Sequence, residues 1–160
     1  DNYLIALDQY SGKQIWKIGI APSYLKYSNN LLYAYTGDKL IVIDKKGNIK
    51  WKIDASSEPL FSSGTIYLRS NEGISAINQY TGNKKWIFQD SGNPLLVSNH
   101  VVYILSDNTL NALSEDGKLL WKIRAEKILE RANGVLYVLS DNYLIALDQY
   151  SGKQIWKIIV

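Results

Sequence analysis

The 160-residue sequence has no cysteine and a single histidine, His100. Without cysteine there are no disulfides and no thiolate metal sites, in a reducing or an oxidising compartment alike. One histidine cannot build the usual His/Cys ligand sets, and a nucleophile triad would have no other imidazole base. His100, in "SNHVVY" at the start of a strand, reads as an ordinary edge or turn residue. No stretch of 18 apolar residues is present, so no membrane span is expected. Charge is also scarce in excess: 18 basic against 15 acidic residues leave +3, spread along the chain. Nucleic-acid binding needs clustered Lys and Arg on one face, so no nucleic-acid partner is expected. The pairs Lys45-Lys46 and Lys84-Lys85 read as solvated turn and strand-end charges. No signal peptide is visible, but the chain starts mid-pattern at Asp1 without Met, and its native start is expected to lie elsewhere.

What is present is a repeat, which decides the architecture before any local reading does. Trp16, Trp51, Trp86, Trp121 and Trp156 are spaced 35 residues apart, and four residues before each stands Gly12, Gly47, Gly82, Gly117 or Gly152. Upstream of each glycine is a small or β-branched residue followed by an aliphatic one: Ala6-Leu7, Val42-Ile43, Ala76-Ile77, Ala112-Leu113 and Ala146-Leu147. Tyr33, Tyr67, Tyr103 and Tyr137 follow the first four tryptophans. From the polar turn-former, Asp8, Asp44, Asn78, Ser114 or Asp148, to the glycine the separation alternates four, three, four, three, four, so the deeper unit is a pair of repeats, 70 residues long.

Each repeat reads as four short strands. In one of them these are "PLFSS", "TIYLRS", "ISAINQ" and "KKWIF", separated by "SG", "NEG" and "YTGN" turns. Runs such as "LLYAY" and "VLYVL" are apolar on consecutive residues, which means that both faces of the sheet are covered. Four-stranded antiparallel sheets repeated at fixed spacing and buried on both faces describe the blades of a β-propeller. The expected fold is therefore all-β, with complete blades at about 20–55, 56–90, 91–125 and 126–158 in a single repeat domain. Residues 1–18 make only a two-strand hairpin, half a blade, and it is redundant.

"ALDQYSGKQIW", "AINQYTGNKKW" and "ALSEDGKLLW" resemble the pyrroloquinoline-quinone (PQQ) repeat, A-x-D-x-x-T-G-x-x-x-W, and the resemblance covers all five repeats. The second and fourth repeats are one residue short in the turn. The resemblance implies that each Trp docks against the Gly-bearing turn of the neighbouring blade, which makes the five Trp and five Gly the structural anchors. The family includes quinoprotein dehydrogenases and cofactor-free scaffolds, such as the propeller lipoprotein of the bacterial outer-membrane assembly machinery. The dehydrogenases use an adjacent cysteine pair, a calcium site and a catalytic Asp. With no cysteine and loops of two to six residues, this chain is similar rather to the scaffolds: no enzyme, no cofactor, no metal and no catalytic residue is expected. Location outside the cytoplasm, or at the cell surface, is implied by this analogy alone.

Residues 1–18 and 141–158 are the same eighteen letters, "DNYLIALDQYSGKQIWKI", although the same-type segment 71–88 matches them at only five positions. Such identity records copying, either in a slice of a longer tandem array or in an engineered overlap. Two identical hairpins also compete for one set of partner strands, and unpaired edges template association. The chain is expected to be a homo-oligomer through its blade edges or an exchanged hairpin, most simply with two chains forming an eight-bladed ring.

No carbohydrate- or metal-specific constellation stands out. Asp8, Asp44 and Asp148 share one repeat position with Asn78 and Ser114, which fits turn capping. The "SDN" segments at 106–108 and 140–142 lack the spaced third and fourth ligands of a calcium loop. Tyr10, Tyr24, Tyr27 and Tyr80 are least bound to the period and are the candidate surface-binding aromatics, with a carbohydrate-binding propeller as the alternative to a protein-binding scaffold.

Overall fold

The computed structural model describes residues 2–160, and every regular element among them is a strand. A two-stranded hairpin, β1 (Leu4–Leu7) and β2 (Gln14–Ile18), comes first. Four four-stranded sheets follow. The first is β3 (Tyr24–Ser28), β4 (Leu31–Tyr35), β5 (Lys39–Asp44) and β6 (Ile49–Asp54). The second is β7 (Leu60–Ser62), β8 (Thr65–Ser70), β9 (Gly73–Asn78) and β10 (Lys84–Phe88). The third is β11 (Asn93–Ser98), β12 (Val101–Ser106), β13 (Thr109–Ser114) and β14 (Leu119–Arg124). The fourth is β15 (Lys127–Ala132), β16 (Val135–Ser140), β17 (Tyr143–Asp148) and β18 (Gln154–Ile159). Within each sheet the order is a plain antiparallel meander. The chain is all-β, four complete blades plus one extra hairpin.

Short turns make the meander possible. Asn29-Asn30, Asn99-His100 and Asp107-Asn108 each place two successive residues at positive φ, as a type I′ hairpin turn requires. Asn and Asp tolerate that region better than other side chains. His100 and the first "SDN" segment are thus turn residues.

Burial follows from stacking. The cores lie between successive sheets, and each pairs one face of a blade with the opposite face of the next. Tyr33, Leu40 and Val42 of the first blade meet Ile66, Leu68 and Ile77 of the second. Tyr67, Ile74 and Ala76 meet Val102, Ile104 and Leu113. Tyr103, Leu110 and Ala112 meet Leu136, Val138 and Leu147. A smaller core joins Leu4, Trp16 and Ile18 of the hairpin to Ala34, Ile41 and Ile43. Strands with a blade on both sides are buried on consecutive residues, as in β8, whereas β16 alternates because only one of its faces is covered.

The small residue before the aliphatic one has a packing role. Ala112 stands opposite Tyr103 on one side and Trp121 on the other, and the two rings meet across it at 5.9 Å between centroids. The same rung recurs at Tyr67–Ala76–Trp86 and Tyr137–Ala146–Trp156. Val42 widens the first rung, where Tyr33 and Trp51 are 6.4 Å apart.

Candidate interaction surface

Each tryptophan that has a following blade inserts its indole against that blade's glycine. A Cβ built on Gly47 would fall 2.7 Å from Trp16 Cγ, and one on Gly152 would fall 2.6 Å from Trp121 Cδ2. The same close approach joins Trp51 to Gly82 and Trp86 to Gly117, at 2.7 Å. Only glycine admits an indole this near its Cα, and the turn's positive φ favours glycine independently. The indole Nε1 then donates to a carbonyl of the same turn: Trp16 to Lys45, Trp51 to Tyr80, Trp86 to Glu115 and Trp121 to Gln149. These bonds satisfy the one polar atom of each ring.

The alternation of turn lengths has a partner in the tyrosines. Tyr33 Oη donates to the Gln79 carbonyl at 3.1 Å and Tyr103 Oη to the Gln149 carbonyl at 3.0 Å, both in the longer turns. The sequence reading passed over these two glutamines, which are buried. Their signal was the recurrence of Gln9, Gln79 and Gln149 in the longer turns alone.

At the two ends of the stack the same parts stand without partners. Nothing lies within 4 Å of the Cβ position at Gly12, and Trp156 is 39% exposed. The identical hairpins are covered on opposite faces. Ile5 and Leu7 are 45% and 58% exposed, while their twins Ile145 and Leu147 are 8% and 0% exposed. Conversely, Ile18 packs in a core while its twin Ile158 lies open. Beside β1, where a complete blade would have two more strands, is a cleft of about 610 Å³. Leu25, Tyr27 and Leu32 of the first blade line its wall.

The polar candidates are engaged locally. Asp8 accepts the Ser11 N–H and hydroxyl, both at 2.8 Å, and these bonds hold its carboxyl below the usual carboxylate range. Asp148 is held down in the same way by Ser151, and Asp44 by the Asn48 N–H and side chain. Asn78 Oδ1 accepts the N–H groups of Tyr80 and Thr81, and Ser114 Oγ that of Lys118. His100 Nδ1 is 2.9 Å from a Glu115 carboxylate oxygen on the surface. Asp141 of the second "SDN" pairs with Arg124 at 3.0 Å. Among the described residues no group of three or more His, Asp or Glu side chains is arranged to hold a metal ion.

The four candidate aromatics are dispersed. Tyr10 and Tyr80 stand in the longer turns, exposed, with the Tyr80 hydroxyl accepting from Asn29 Nδ2. Tyr24 packs on the core between the first two blades. Tyr27 points the other way, into the cleft beside β1.

The blade geometry agrees with a family match. The family profile of the outer membrane protein assembly factor BamB matches residues 1–110 and 92–159, which together take in nearly the whole chain. The chain belongs to the BamB family of PQQ-type β-propellers. Among solved structures, BamB from Moraxella catarrhalis superposes with a TM-score of 0.69 at 21% identity, covering 98% of this chain and 55% of that one. Hsv2 from Kluyveromyces lactis gives 0.63 at 17% identity, over 90% of this chain and 54% of the other. Sqt1 from Saccharomyces cerevisiae gives 0.64 at 13% identity, over 98% and 55%. At these identities the likeness is one of fold. The chain spans little more than half the length of the propellers it matches. No curated protein sequence matches it significantly. No helix among the described residues is long and apolar enough to cross a membrane.

Proposed function

We propose that this BamB-family chain is a non-catalytic propeller scaffold whose partners are proteins, the first of them a second copy of itself. One observation carries the reading: the two copies of a single hairpin are bare on opposite faces, Ile5 and Leu7 on one and Trp156 and Ile158 on the other. An exposed apolar sheet face at each end of a stack, with an open strand edge at β1, favours protein association over solvent. The non-catalytic part rests on the engagement of the acidic turn residues in capping and on the family's description as an assembly factor. That description also supports a place outside the cytoplasm.

The test is the mass of the purified chain in solution, by light scattering across a concentration series. Two chains per particle are expected. A single-chain mass at every concentration would remove self-association from the proposal.

A further inference from the structure

We infer that the cleft beside β1 is the seat of strands β15 and β16 from a second copy of this chain, so that two chains close one ring of eight four-stranded blades. The inference deepens the self-association proposed above by naming the segment and the place where it sits.

The edge of β1 is the first argument. Its twin β17 has the corresponding edge filled by β16, with Leu139 opposite Leu144, Val138 opposite Ile145 and Tyr137 opposite Ala146. Residues 1–18 repeat residues 141–158 letter for letter, so Leu4, Ile5 and Ala6 offer β16 the same partners in the same register. A strand pair arriving there completes a blade by β-augmentation without any new contact chemistry.

The wall of the cleft is the second. In the chain, the tyrosine of each second strand packs against the first strand of the next blade. Tyr33 meets Phe61 edge-on at 5.1 Å, and Tyr67 shares a core with Val97. Phe61 stands opposite Ile66, and Val97 opposite Val102. The same position in the fourth blade is Arg131, opposite Leu136, whose guanidinium reaches back to Ser98 Oγ of the third blade. In the first blade it is Tyr27, opposite Leu32, and it is 65% exposed. Tyr137 is the tyrosine with no following blade in the chain. Set against Tyr27 of a second copy, it repeats the Tyr33–Phe61 contact.

The order of turns agrees. Long turns at β1–β2, β9–β10 and β17–β18 alternate with short ones at β5–β6 and β13–β14. The fourth blade, with a long turn, followed by a first blade, with a short one, keeps the alternation unbroken around a ring. The seam is also already built once per chain, since Leu4, Trp16 and Ile18 cover the first blade as their twins Leu144, Trp156 and Ile158 would. At each seam the outer half-blade comes from residues 1–18 of one chain or residues 141–158 of the other, and the remaining copy is surplus.

The absence of native cysteine allows a direct test on the full chain. The double variant Tyr27→Cys/Tyr137→Cys is treated with a short bis-maleimide, beside each single variant, and resolved by denaturing electrophoresis. A covalent two-chain product from the double variant, absent from both singles, is expected. A product of one-chain mass, meaning that the chain closes on itself, overturns the inference. No product, from a protein that light scattering still finds to be two chains, also overturns it and leaves self-association standing through another surface. A one-chain mass by both measurements removes both.

Discussion

The indole of Trp51 lies so close to Gly82 of the following blade that a Cβ on that glycine would fall 2.7 Å from Cδ2. The ring cannot yield, because it is also held by Tyr33 across Val42 and by the bond from Nε1 to the Tyr80 carbonyl. Gly82→Ala therefore combines overpacking, about 1–3 kcal/mol, with a left-handed backbone cost of about 1–2 kcal/mol. Gly134 has a similar positive φ but open space around its Cβ position, so Gly134→Ala isolates the backbone cost. Thermal or urea unfolding should show Gly82→Ala to be the more destabilised of the two. Equal losses would mean that the indole contact is not what selects glycine.

Ala112 lets two large rings meet across it, and a longer side chain there must push them apart. Ala112→Leu should cost about 1–3 kcal/mol in unfolding free energy. Ala112→Val should cost less, because Val42 already serves that position, with its rings 6.4 Å rather than 5.9 Å apart. The order Ala, Val, Leu in melting temperature, highest first, checks the rung.

Burial pushes the Tyr67 phenol up to about 12, helped by the Glu115 charge, and burial does the same to Tyr103, helped by Tyr150. Both groups are neutral acids whose folded pKa lies above the unfolded value near 10. Their contribution is complete below about pH 10 and is lost as pH rises toward about 12, since the unfolded chain ionises first. Absorbance titration at the phenolate band should show these two phenols ionising only as the fold opens. Uniform titration near pH 10 with the fold intact would contradict the buried rungs.

Much of this was legible in the residues. The spacing of Trp and Gly carried the blade because both recur with each hairpin, while the docking of each Trp on the next blade's glycine was implied by the family resemblance. Strand ends were nearly legible too: "TIYLRS" and "KKWIF" coincide with β8 and β10, while "PLFSS" shortens to Leu60–Ser62. The two hairpin copies read the same, yet one buries Leu147 and the other exposes Leu7, since coverage depends on which neighbour the chain supplies. The same limit separated Tyr24 from Tyr27. Three residues apart on one strand, they face opposite sides, and only pairing with β4 shows that Tyr24 enters a core and Tyr27 faces the cleft.

The duplicated hairpin makes the role of Trp156 conditional. In the full chain, Trp16 already covers Gly47 of the first blade, so Trp156→Ala should leave the two-chain mass unchanged. Deletion of residues 1–18 removes that indole and bares Gly47, Ala34, Ile41 and Ile43. The identical face at 141–158 of a second chain can then replace it, so the truncated chain should remain a pair. In that background Trp156→Ala deletes the last indole able to dock on Gly47. Losing a buried Trp side chain costs about 3–5 kcal/mol at each of the two seams, which together is roughly 10⁴- to 10⁷-fold in the dissociation constant at about 1.4 kcal/mol per decade. Sedimentation equilibrium on the four proteins gives the outcome directly: only the combination of deletion and substitution should weaken the pair. A substitution effect of equal size in both backgrounds would mean that the two hairpins do not share one seat.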